Sequence, residues 1–156
     1  MTALLSQAKN DYLLQVGIDY LQQETIEWIS EIDFAETELS FLSNLLNKAF
    51  LFSKDDQKLK ELNFLEEKVV LLKNNSLKQI KEKLILHEEH LGNLEENIKS
   101  FNEQSIREEH INNKSVINIF LDSLKSIKKE IFGIIEIQLK KNKKIINDFE
   151  QGGMSL

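Results

Sequence analysis

His87-Glu88-Glu89-His90 sets two imidazoles three residues apart, and His110 is the third and last histidine of the 156-residue chain. On a helix, residues three apart share a side with Cβ atoms roughly 5–6 Å from each other, so two ring nitrogens can reach one metal ion. His87, His90 and His110 are therefore the candidate metal ligands. The plainer outcome for an imidazole on an apolar face is burial against a carboxylate. A carboxylate-bridged di-iron centre uses Glu-x-x-His pairs. The residues three before the histidines are Leu84, His87 and Arg107, which excludes it. Histidine phosphotransfer fares no better, because His90-Leu91-Gly92-Asn93 lacks the steadying lysine beyond the glycine. The absence of cysteine removes disulfides, thiolate zinc sites and thiol nucleophiles. No serine sits in a glycine elbow, and no glycine-rich phosphate loop precedes a helix. The reading is a non-enzyme with no catalytic residue and no cofactor.

The elements that carry these histidines are long and periodic. Leu14, Ile18, Leu21, Thr25, Trp28, Ile32, Ala35, Leu39, Leu42, Leu46 and Ala49 recur at alternating steps of four and three. That alternation holds one stripe of a helix against a partner. A second seam reads Leu62, Leu65, Val69, Leu72, Ser76, Ile80, Leu84, His87, Leu91, Leu94, Ile98 and Phe101, with Asn74-Asn75-Ser76 as its weak point. Ser53, ahead of Asp55 and Asp56, is the expected N-cap of that helix. Ser105-Ile106-Arg107-Glu108 has the form of a capping box opening a third. The third seam runs Ile106, His110, Asn113, Ile117, Phe120, Leu124, Ile127, Ile131, Ile134, Gln138 and Ile145. Helices are expected at about 8–51, 54–101 and 105–149, in a single domain over 1–150, with 151–156 a flexible tail. A fourth helix would need a break near Asn10, Gly17 or Asn74.

Short connections force neighbouring helices to run antiparallel. The expected fold is all-α: an elongated antiparallel up-down-up three-helix bundle with coiled-coil-like heptad packing and a left-handed twist. Folding about residues 52 and 103 would set His87 near Gly17 and Ile119, His90 near Leu14 and Val116, and His110 near Glu96. The acids Glu24, Glu27, Glu31, Asp33, Glu36 and Glu38 would lie level with Lys68, Lys73, Lys78 and Lys81 on one side. On the other they would lie level with Lys125, Lys128 and Lys129.

A further row on the first helix, Leu13, Tyr20, Phe34 and Phe41, repeats every seven residues outside the main seam, with Glu27 and Lys48 as its polar members. A helix touching two neighbours shows an apolar face of about three residues in seven, so a wide core is the plainer reading. The sharper one is a homodimer or hetero-partner interface, built on this row and on the apolar stretch 131–139. Left bare, the row would exceed the few hundred Å² of apolar patch that a monomer tolerates.

Charge narrows the partners. Residues 1–53 carry 2 basic and 8 acidic side chains, residues 54–103 carry 9 and 11, and residues 104–156 carry 9 and 7. Lys140, Lys141, Lys143 and Lys144 are the one dense basic run, and cations near a helix C-terminus are favoured by the backbone dipole anyway. Nucleic-acid binding needs a broader footprint and is set aside. An apolar fraction of 41% with 29% charged residues describes a folded chain. No leader pattern opens it and no run approaches the ~18–20 apolar residues of a membrane span, so a cytoplasmic product is expected. Abundant asparagine and lysine with one arginine suggest an AT-rich bacterial genome. The functional expectation is association, as a scaffold, adaptor or subunit. The alternative is a metal-binding bundle using the His-x-x-His pair.

Overall fold

The computed structural model describes residues 17–96 and 102–151. They form α1 (Ile18–Phe52), α2 (Asp56–Leu71), α3 (Lys78–Glu95) and α4 (Glu103–Gln151). A π-helical stretch, Leu72–Leu77, joins α2 to α3 without a break, so the described residues build three rods in an all-α bundle. The second rod runs antiparallel to α1, as Ser43 bonding Glu66 and Gln22 bonding Glu95 require. α4 runs parallel to α1, with Glu24 on His110 near one end and the Ala49 carbonyl accepting from Gln138 near the other.

The helix ends differ from expectation for local reasons. Gly17 is extended (φ −68°, ψ 154°), and its carbonyl accepts from Tyr20 and Leu21, so α1 starts at Ile18, at the break considered near Gly17; residues 8–16 lie outside the described residues. Glycine has the poorest helix propensity of any residue but proline. Leu13, Leu14 and the break considered near Asn10 lie outside the described residues, as do Ile98, Phe101 and the tail from Gly152 onward. The cap of α2 is Asp55, whose carboxylate accepts from the Gln57 N–H at 3.0 Å, while Ser53 closes the end of α1. An ionised oxygen meets the positive end of a helix better than a hydroxyl does. Asn102 caps α4, its side chain taking the Ser105 N–H at 3.2 Å, so Ser105 sits in the first turn and Glu108 in the second instead of forming a capping box.

Every described residue of the first seam from Leu21 to Ala49 is buried, and so is the third seam from Ile106 to Ile131. The second seam departs at one place. Leu77 is buried where Ser76 was expected, and Ser76 and Leu72 are half-buried. The buried order Val69, Leu77, Ile80, Leu84, His87, Leu91 and Leu94 holds one residue too many between Leu72 and Leu77 for a four-three alternation. The widened π turn absorbs that residue and lets a leucine, rather than a serine, enter the core. Asn74 and Asn75 face out.

The core falls into two apolar clusters. A long one runs from Trp28 to Ala49 on α1, with Leu62 to Leu84 on the second rod and Ile117 to Ile131 on α4. A short one gathers Leu21, Leu91, Leu94 and Ile106. Between them lies a layer of buried polar side chains: Thr25, His87 and His110.

Candidate functional site

The polar layer is built by one residue from each rod. Thr25 settles its own hydroxyl by donating to the Leu21 carbonyl at 2.7 Å, one turn back on α1. His87 occupies a seam position of α3 and His110 a seam position of α4, so both rings point inward, at 0% and 4% exposure. His87 Nε2 lies 2.8 Å from His110 Nδ1. Carboxylates close both ends: Glu109 Oε1 is 2.6 Å from His87 Nδ1, and Glu24 Oε1 is 2.8 Å from His110 Nε2. His90 Nδ1 joins from the bundle surface, 2.9 Å from the same Glu109 oxygen. Trp28, at the end of the long apolar cluster, lies over His110 with ring centroids 4.4 Å apart.

This is a continuous chain, Glu24–His110–His87–Glu109–His90, crossing the bundle from α1 through α3 and α4. Its three contacts from Glu24 to Glu109 need three bridging hydrogens, and two neutral imidazoles bring two. The third would have to come from protonating the pair, which the flanking carboxylates favour and burial opposes more strongly. A fourth would set two N–H groups head to head across 2.8 Å. Burial pushes the pKa values of His87 and His110 below the ordinary histidine value, against the pull of Glu109 and Glu24 respectively. Burial raises the Glu109 carboxyl, yet hydrogen bonds from His87 and His90 outweigh it and hold the group below the usual range.

The structure thus brings His87, His90 and His110 together, as the sequence suggested, but through different levels. His110 meets His87 and Glu24, not Glu96, and the partner expected for His87 was Ile119. That is a slide of about nine residues, roughly 13 Å along α4. The cause is the second reversal: α3 ends at Glu95 and α4 begins at Glu103, so the chain folds nearer residue 99 than 103. In an antiparallel pair any error in the fold point doubles at the partner. Every imidazole nitrogen of the buried pair is already committed to another nitrogen or to a carboxylate. Among the described residues no group of three or more His, Asp or Glu side chains is arranged to hold a metal ion. Of the two acceptors, Glu24 is expected from the sequence only as one of the acids level with lysines, and Glu109 is not expected at all; their one signal is a position flanking the seam on α1 and beside His110.

No known protein family, curated protein or solved structure matches the chain.

The second candidate site is the aromatic row of α1. Tyr20, Phe34 and Phe41 are 56%, 65% and 56% exposed. Leu13 lies outside the described residues. The flanks of α1 are already used. Gln22, Glu36 and Ser43 face the second rod, where Lys81 bridges Glu36 and Asp33. Glu24 and Glu38 face α4, with Lys128 on Glu38 at 2.7 Å. Lys81 is one of the four lysines expected opposite the acidic stretch, and Lys128 one of the three on the third rod; Lys68 turns instead to Glu130. In the 131–139 stretch Ile131 is fully buried, Ile134 and Ile135 are half-buried, and Phe132, Ile137 and Leu139 are exposed. No helix among the described residues is long and apolar enough to cross a membrane.

Proposed function

We propose that this chain is a non-catalytic association module, a scaffold, adaptor or subunit that engages protein through the outer face of α1. The observation that carries the reading is the exposure of Tyr20, Phe34 and Phe41 in one row of a 35-residue helix. Such rings bring large apolar area at low entropic cost, which is why they anchor interfaces. The helix behind them is held on both flanks by ion pairs and hydrogen bonds, so the row is presented on a rigid support. The buried histidine chain serves this reading as a pin. A polar layer that is satisfied in one alignment only fixes which levels of the three rods meet.

The test compares the wild-type chain with Phe34→Ser and Phe41→Ser. Each variant should melt within about 2 °C of wild type when dilute, while losing complex formation in sedimentation and in affinity capture from the source cell. Assemblies unchanged by both substitutions would retire the reading.

A further inference from the structure

The exposed row of α1 has a companion that completes a second seam. Three residues after each member lies Gln23, Ser30, Thr37, Asn44 or Leu51. Together the two rows read Tyr20, Gln23, Glu27, Ser30, Phe34, Thr37, Phe41, Asn44, Lys48, Leu51, alternating steps of three and four. All ten are exposed. The stripe lies directly opposite the buried seam of α1 and repeats its period, which is the pattern of a helix that contacts partners on both sides. Its composition is unusual for a face in water: rings in one row, uncharged side chains in the other, and Glu27 and Lys48 as the only charges.

We infer that this stripe pairs with the same stripe of a second copy, antiparallel, about a two-fold axis near residues 35–36; the inference rests on the reading of α1 as an association face. Three features select that partner. Seated so, Phe34 lies over Thr37 of the second copy and Phe41 over its Ser30, each ring meeting a short side chain. Tyr20 meets Leu51 at either end. Glu27 lies opposite Asn44, one turn from Lys48 of the other copy, so the two charges of the stripe neutralise each other across the axis. Parallel pairing would stack Glu27 on Glu27 and Lys48 on Lys48, and an antiparallel pair shifted to set Tyr20 on Phe41 would press Glu27 onto Phe34. The two-fold pairing satisfies each copy with one identical patch, so it closes at a dimer. The paired stretch runs from residue 20 to 51, roughly 47 Å.

The natural sequence holds no cysteine, which makes cross-linking clean. Thr37→Cys, close to the axis, should join two copies through a short bifunctional thiol reagent. Asn44→Cys alone should not, and should do so once mixed with Ser30→Cys. In sedimentation equilibrium the wild type should be a dimer at micromolar concentration. Glu27→Lys or Lys48→Glu should weaken it about tenfold, two ion pairs per dimer being turned into like charges, and the double swap should restore it. Phe34→Ser should weaken it by at least about a hundredfold. Cross-linking of Asn44→Cys to itself, or a wild type that stays monomeric to 100 μM, overturns the pairing. The broader association reading fails by a different result: Phe34→Ser and Phe41→Ser lowering the melting temperature of the dilute monomer as a core truncation would.

Discussion

The two faces of α1 share a period and have opposite fates. On the inner face Ile32 and Leu39 are fully buried among leucines and isoleucines of the other rods. On the outer face Phe34 and Phe41, two residues further along, stand more than half exposed. Both stripes return twice per seven residues and both carry large apolar side chains. A repeat of hydrophobic positions therefore says that something packs there, and leaves open whether the cover comes from the same chain. The neighbours decide it. Acids on either edge of the inner stripe are paired to Lys81 and Lys128, which locks the other rods to that side and leaves Phe34 and Phe41 more than half exposed.

The sharpest way to break this contrast is to truncate one side chain on each face. Leu39→Ala should cost about 2–5 kcal/mol in urea unfolding, the transfer term plus a cavity in the long cluster. Comparable losses at Leu39 and at Phe41 would move Phe41 into the folded-state core and erase the distinction. The polar layer should give the next largest effect. His110→Ala strands His87 Nε2 and leaves Glu24 half-buried without its partner, and should cost about 1–3 kcal/mol by the same measurement.

Acid probes the inner face alone. His87 and His110 are held below the ordinary histidine value of 6.5, so below that pH the unfolded chain takes up protons that the folded layer refuses. Stability should fall as the pH drops from about 6.5 toward the depressed values, and fall again below about 4.5, where unfolded Glu109 becomes protonated before the folded one does. Urea midpoints between pH 8 and pH 4 measure this, and the double variant His87→Leu, His110→Leu should flatten the first step. Asn113 is buried one turn beyond His110, with its side-chain nitrogen lacking any acceptor. Asn113→Leu should raise stability by about 1 kcal/mol. The smallest effects belong to the outer face and to added metal. Phe41→Ser should change monomer stability by less than about 0.5 kcal/mol. Zinc added to the chelated protein should leave the melting curve in place; tight binding that His87→Leu abolishes would show the imidazoles trading their shared proton for a metal ion.

Much of this was legible in the residues. The four-three steps from Leu21 to Ala49 and from Ile106 to Ile131 named the buried positions because burial and helical period share one cause. Levels were harder to read. Ser43 pairs with Glu66 and His110 with Glu24 because of where two reversals fall, and those depend on single caps, Asp55 and Asn102, that compete with nearby serines. A choice between two acceptors a few residues apart costs little locally, yet it slides a whole rod. The histidine cluster was half visible for the same reason: its members were apparent, while the carboxylates that bind it depended on the slide. Ser76 against Leu77 was missed because the expectation kept the helix regular, and burying a leucine outweighed that regularity.

The π turn at Leu72–Leu77 has a further meaning for how this rod can vary. Remove a single residue at its exposed asparagines and the steps from Val69 onward become an unbroken three-four series. Nothing downstream would have to rotate, and His87 would still look into the layer it shares with His110. The widened turn behaves as an expansion joint: the rod can lose a residue there while both flanking segments keep their facing.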